Sequence, residues 1–184
     1  AEKEFGIHAW YPNQYEANHA LMVSALEKAL KLNVDGVIVT IPDEQLLKKP
    51  IKALVDAKIP VVVINSGLNS FSNLGASYYI GQDNYAAGRL LGRAMSDEGV
   101  KHALCINHEP DNYSLQHRCD GLNDVLTSGN SKVTELITQA YSATTASARI
   151  ATAFVVYHSL DSLVSLGPPS TMPAINALQE LDLV

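Results

Sequence analysis

The residues best suited to chemistry in this 184-residue chain are polar groups that close or follow apolar runs. Thr40 and Asp43 end the run that begins at Val37, Asn65 and Ser66 follow Val61 to Ile64, His108 to Asn112 follow the run ending at Ile106, and Trp10 and Tyr11 end a first run. Together they offer amides, hydroxyls, carboxylates and aromatic rings. That set suits a neutral polyhydroxy ligand, since every hydroxyl both donates and accepts and a sugar ring packs on an aromatic face. Each group also has an ordinary structural use. Asn65-Ser66-Gly67 suits a turn, Asp43 and Asp83 suit helix caps, Trp10 suits a core, and Arg118 alone suits a solvated surface.

Catalytic signatures are lacking. The chain has no Gly-x-Ser-x-Gly elbow, phosphate loop, Gly-x-Gly-x-x-Gly fingerprint or His-Glu-x-x-His pair, so the reading is of a binder and not an enzyme, with an unrecognised enzyme of the doubly wound type as the last alternative. The histidines (His8, His19, His102, His108, His117, His158) are scattered. His108-Glu109 with His117 is the one grouping with metal-ligand character, and without a second ligand pair it predicts no metal and no cofactor. Cys105 and Cys119, fourteen positions apart, suit either a disulfide or two buried thiols. Asn112-Tyr113-Ser114 has the form of a glycosylation sequon, relevant only in a eukaryotic secretory route.

The elements that must position these groups alternate. Val37 to Ile41 is apolar and mostly β-branched, predicting a strand buried on both faces. Asp43 caps a predicted helix with Leu46, Leu47, Ile51, Leu54 and Val55 at helical spacing, and Val61 to Ile64 is a second buried strand. A right-handed crossover makes the two parallel, so Thr40 to Asp43 and Asn65 to Gly67 emerge on one sheet edge, where ligands of open α/β sheets bind. Ahead of this unit, Phe5 to Tyr11 predicts a short strand, and Asn13 with Glu16 a capping box opening a helix through Leu30. After it come a strand at 77–80, a helix capped by Asp83 with Ala86, Ala87, Leu90, Leu91, Ala94 and Met95 inward, and a strand at 100–106. A helix at 113–126, a strand at 133–138, a helix at 144–159 with Ile150, Ala153, Phe154 and Tyr157 inward, a strand at 163–166 and a helix at 171–181 follow, with Pro168-Pro169 breaking the chain before the last. The class is α/β with parallel sheets.

A formal charge of -6 with dispersed lysines and arginines argues against nucleic acid. No apolar run reaches membrane-spanning length, and Ala1-Glu2-Lys3-Glu4 does not open a signal peptide.

Several stretches occur in a telling order: Asp35 to Pro42, Lys58 to Gly67, Tyr79 to Gly88, Cys105 to Pro110, and His117 to Gly121. Together they resemble the type I periplasmic sugar-binding proteins, the ribose- and galactose-binding group that serves ABC transporters and chemoreceptors. The resemblance implies two parallel-sheet α/β lobes, 1–82 and 83–184, closing by a hinge on a small sugar or polyol. It implies ligand contacts from Thr40, Asn65 and Ser66 in the first lobe and from His108, Glu109 and Arg118 in the second, with Gln82 and Asp83 at the first crossing. It implies a periplasmic or secreted location, a membrane permease or receptor as partner, and no cofactor. It also implies a first strand and helix ahead of Phe5 and further strands beyond Val184, so the chain is expected to be truncated at both ends. The missing strand would lie between the Phe5 and Val37 strands, and a second copy could supply it in a homo-oligomer. Two other readings share the pattern: the ligand-sensing core of a transcription regulator, and a truncated binding fold used as an oligomeric interaction protein.

Overall fold

The structure is a computed structural model that describes residues 4, 6–11, 19–138 and 142–184. Two three-stranded parallel sheets form its two lobes. In the first lobe, helix α1 (His19–Leu32) leads to strand β1 (Val37–Val39), helix α2 (Glu44–Asp56), strand β2 (Val61–Ile64) and strand β3 (Tyr78–Ile80). The sheet order is β1-β2-β3, with Val37 beside Val61 and Val62 beside Tyr78. In the second lobe, helix α3 (Asn84–Asp97), strand β4 (His102–Asn107), helix α4 (Tyr113–Ser128), strand β5 (Lys132–Ile137), helix α5 (Ala143–Val156), strand β6 (Ser162–Ser165) and helix α6 (Pro168–Glu180) build a sheet ordered β5-β4-β6.

The caps form as the spacing predicts. Asp43 accepts the backbone N–H groups of Gln45 and Leu46, at 2.8 and 3.2 Å, and Asp83 accepts that of Ala86 at 2.9 Å. These bonds satisfy donors that the first helical turn leaves unpaired. Pro168 and Pro169 do not end an element but open α6, where the missing N–H costs nothing.

The second lobe has a core on each face of β4, which is buried throughout. Ala103 and Cys105 face Leu115, Cys119, Leu122 and Leu126 of α4, while Leu104 and Ile106 face Ile150 and Ala153 of α5 and Ala174 and Ala177 of α6. This is the period-two alternation of a central strand packed on both sides.

The first sheet differs. Leu26, Leu47, Ile51, Leu54, Val39, Val61 and Val63 make its core on one face only. On the other, Ile38 is 72% exposed, Tyr78 69% and Ile80 65%. Val37 to Ile41 is therefore not buried on both faces. A β-branched run looks the same in sequence whether or not a second layer covers it.

Three further expectations are corrected. Residues 6–11 form no strand: no neighbouring strand pairs with them, and Ile7, Trp10 and Tyr11 are exposed. Lys28 stands 4.8 Å over the Trp10 ring, so this aromatic meets α1 and not a sheet edge. Phe5 and the Asn13–Glu16 box lie outside the described residues. In α3, Gly88 and Gly92 are buried, while Ala86, Leu90 and Ala94 of the expected inward face are exposed. Tyr157 caps the end of α5 from an exposed position.

Candidate functional site

The lobes meet where the loops after β1 and β2 face the start of α4. The backbone N–H of Tyr113 donates to the Pro42 carbonyl at 3.0 Å, the Ser66 hydroxyl donates to Asn112 Oδ1 at 3.4 Å, and Asn69 Nδ2 lies 3.5 Å from His117 Nδ1. The first lobe's share is shaped by its backbone. Asn65 has φ 61° and Gly67 φ 117°, and a Cβ on Gly67 would lie 2.7 Å from that of Ile41. Left-handed backbone at both positions turns the chain sharply out of β2, a conformation that asparagine and glycine tolerate best. The Ser66 carbonyl then accepts from Ile41 N–H at 2.8 Å, which holds the two loops together.

Asn112 is the hub of the second lobe's share. Its Oδ1 also accepts Ser114 N–H at 3.1 Å, capping α4, and its Nδ2 donates to Glu109 Oε2 at 2.8 Å. Glu109 N–H donates to Asn107 Oδ1 at 3.1 Å, and Asn107 Nδ2 donates to Glu135 at 3.1 Å. A chain of bonds thus runs from β5 to Ser66 of the other lobe. Asn112 is buried and its amide is engaged, so the sequon offers no free acceptor in the folded chain.

His108 is buried, with Nδ1 3.3 Å from Ser170 Oγ. Burial lowers its pKa, the Glu109 charge opposes that shift and the Arg118 charge adds to it, which places all three groups within electrostatic reach. Arg118 donates from Nη1 to the Leu166 carbonyl at 3.5 Å and from Nη2 to Asn84 Oδ1. Its Nε is buried with no acceptor among the described residues, and burial lowers its pKa from a high ordinary value. The one ion pair among the described residues is Arg89 with Asp124, so Arg118 has no carboxylate partner there.

The crossing between lobes is pinned by Tyr79. Its hydroxyl lies 2.9 Å from the carbonyl oxygens of both Asn65 and Gln82 and shares its one hydrogen between them, and its pKa is raised by burial and then by the Asp83 charge. Gln82 Nε2 continues to Asn84 Oδ1 at 3.2 Å, while Asp83 is occupied as the α3 cap.

Of the residues singled out in the sequence, Ser66 and Glu109 are joined through Asn112, His108 meets Ser170, Arg118 is held by Asn84 and Leu166, and Asn65 and Gln82 share a tyrosine. Thr40 is half-buried just past β1, and its side chain makes no hydrogen bond among the described residues. The sequence reading missed Asn84 and Asn107, and gave Asn112 only as the end of the His108 to Asn112 loop. Asn107 ends β4, Asn84 opens α3, and Asn112 precedes α4 as its cap, where a short amide is the usual signal. Two surface hollows border α2; one of about 430 Å³ is bordered by Glu44, Gln45 and Lys48 together with Tyr113 at the start of α4. Among the described residues no group of three or more His, Cys, Asp or Glu is placed to hold a metal ion, and no helix is long and apolar enough to cross a membrane.

Residues 1–184 match the family described as periplasmic binding protein domain. The xylose/arabinose-binding protein XylF of Sulfolobus acidocaldarius is 29% identical over 115 residues, covering 57% of this chain and 28% of that protein. A carbohydrate transporter from Acidothermus cellulolyticus, solved in complex with myo-inositol, is 30% identical with a TM-score of 0.86, over 91% of this chain and 57% of its own. An ABC sugar transporter (periplasmic sugar binding protein) from Legionella pneumophila superposes with a TM-score of 0.91 at 21% identity, over 98% of this chain and 67% of its own, and shows the fold alone. The chain thus spans little more than half the length of the inositol-bound protein and 28% of XylF.

Proposed function

The chain belongs to the periplasmic binding protein family, and from that premise we propose that it is an extracytoplasmic solute-binding protein that holds a small sugar or polyol between its two lobes. The observation that carries this reading is the meeting of Ser66 from one lobe with Asn112 and Glu109 of the other, close to an arginine that keeps a buried donor without an acceptor among the described residues. Arg118 would donate to a hydroxyl or ring oxygen, and its fixed fork makes it the better anchor than a lysine. Glu109 would accept from a hydroxyl, His108 would bond a second, and Thr40, Asn65 and Ser66 would complete the contacts from the first lobe. Gln82 and Asp83 would form the hinge, with the division between lobes falling at 82/83. Closure would follow from the ligand binding the closed form better than the open one.

The relatives support the ligand class: one is named for xylose and arabinose, and another holds myo-inositol. The Cys105–Cys119 disulfide supports an oxidising compartment. The partner that would read the closed form is a membrane permease or receptor. No catalytic step is assigned.

Thermal unfolding against pentoses, hexoses and polyols tests the reading. A ligand at a hundred times its Kd stabilises the native state by about 2.7 kcal/mol, or roughly 5 to 10 °C at this size. No shift with any sugar, in a protein that still unfolds cooperatively, rejects it.

One observation favours a second reading. The uncovered row of Ile38 and Tyr78, with Ile80 beside it, is the kind of apolar surface that association covers. A homo-oligomer seated there would give a mass that rises with concentration, and Ile38→Lys would abolish the rise.

A further inference from the structure

Asn84 opens α3 two positions past Gln82 and is only 6% exposed. Its Oδ1 receives two donors, Arg118 Nη2 and, at 3.2 Å, Gln82 Nε2. Arginine has no acceptor, so the Asn84 atom facing it must be the oxygen, and two donors fill that oxygen's lone pairs. The other guanidinium tip donates to the Leu166 carbonyl at 3.5 Å. A planar group held at both terminal nitrogens cannot rotate about its stem without breaking a bond. Its third nitrogen, Nε, is buried and has no acceptor among the described residues.

On the near side, Gln82 belongs to the interlobe crossing, and its carbonyl accepts from the Tyr79 hydroxyl, which also bonds Asn65. Asn84 therefore joins the segment that must bend to the cation that would meet the ligand.

We infer that Asn84 is a positioning residue that fixes the Arg118 guanidinium, reserves its Nε–H for an uncharged oxygen of the ligand, and couples that orientation to the crossing through Gln82. This rests on the sugar-site reading and deepens it, since Nε is the one guanidinium nitrogen left with no partner among the described residues and a sugar offers it hydroxyl and ring oxygens.

Two measurements separate the inference from the reading beneath it. The first uses ligand-free protein: the arginine Nε–Hε region of a proton–nitrogen spectrum, with Arg118 assigned by its loss in Arg118→Lys. A resolved, solvent-protected signal is expected in the wild type and in Asn84→Asp, which keeps the acceptor, and a broadened or lost signal in Asn84→Ala. The second is calorimetry with D-xylose and myo-inositol. Asn84→Ala should weaken binding about tenfold and Asn84→Asp less than about threefold, while in an Arg118→Ala background Asn84→Ala should add less than about twofold. An Arg118 signal absent in the wild type or unchanged in Asn84→Ala overturns the inference, as do effects of the two alanines that multiply. If no sugar binds the wild type, the site reading fails and the spectra alone decide the role of Asn84. Should Asn84→Ala not fold, Asn84→Ser, whose hydroxyl is too short to reach both donors, takes its place.

Discussion

Cys119 is bonded to Cys105, with their Cα atoms 6.0 Å apart, one residue along α4 from Arg118. Both cysteines are buried, and Cys105 lies within β4, the central strand of the second sheet. The bond therefore fixes the helix that carries Arg118 to the most buried strand of the lobe. Closing a loop of about this length stabilises a fold by about 3 kcal/mol, mainly by restricting the unfolded chain. Cys105→Ala with Cys119→Ala should lower Tm by roughly 6 to 12 °C, and reductant should do the same to the wild type and nothing to the variant. A melting curve with and without reductant decides it.

Glycines set the depth of the α3–α4 contact. A Cβ on Gly88 would lie 2.1 Å from the Arg118 carbonyl oxygen, and one on Gly121 2.2 Å from that of Tyr85. Neither neighbour is a flexible side chain, so the helices must separate. Gly88→Ala and Gly121→Ala should each cost about 1 to 3 kcal/mol or more and weaken sugar binding, because Arg118 and Asn84 lie on the two helices that part. Gly129→Ala is the control: its nearest neighbour would be at 3.5 Å, and stability should stay within about 0.5 kcal/mol. Urea unfolding of the three variants gives the comparison.

His108 makes stability depend on pH. Burial is the main cause of its lowered pKa, so the folded chain keeps the ring neutral to lower pH than the unfolded chain, which titrates near 6.5. Between the lowered folded value and 6.5 the unfolded state binds the extra proton. The stability this contributes is fully present above pH 6.5 and is lost as pH falls through that window. The urea midpoint should hold between pH 8 and 7 and fall toward pH 5, with a shallower fall in His108→Gln. Equal slopes in the two proteins would assign the dependence to other groups.

Much of this fold is legible in its sequence because the signals are local. The runs at 37–41 and 61–64 are β-branched and the caps Asp43 and Asp83 sit at the required spacing, so the β-α-β unit and the start of α3 form where expected. What could not be read is set by distant neighbours. Leu90 fits the apolar period of α3 yet is 63% exposed, because the backbone of α4 approaches on the glycine side. The uncovered face of β1 to β3 depends on which layer packs there, and the contact of Asn84 with Arg118 spans 34 positions. The pairing of Cys105 with Cys119 needed the third dimension for the same reason.

Asn65 separates a backbone role from a ligand role. Its φ of 61° lies in the left-handed region, where alanine is strained by about 1 to 2 kcal/mol and glycine is not. Its exposed side chain is free to meet a ligand, while its backbone N–H donates to Ile80 and its carbonyl accepts from Tyr79. Asn65→Ala should therefore lose about 1 kcal/mol of stability and about tenfold in sugar affinity. Asn65→Gly should keep the stability within about 0.5 kcal/mol and lose the same affinity, because the side chain is gone while the turn remains. Affinity preserved in Asn65→Gly would leave the residue a purely structural task, shaping the loop that presents Ser66.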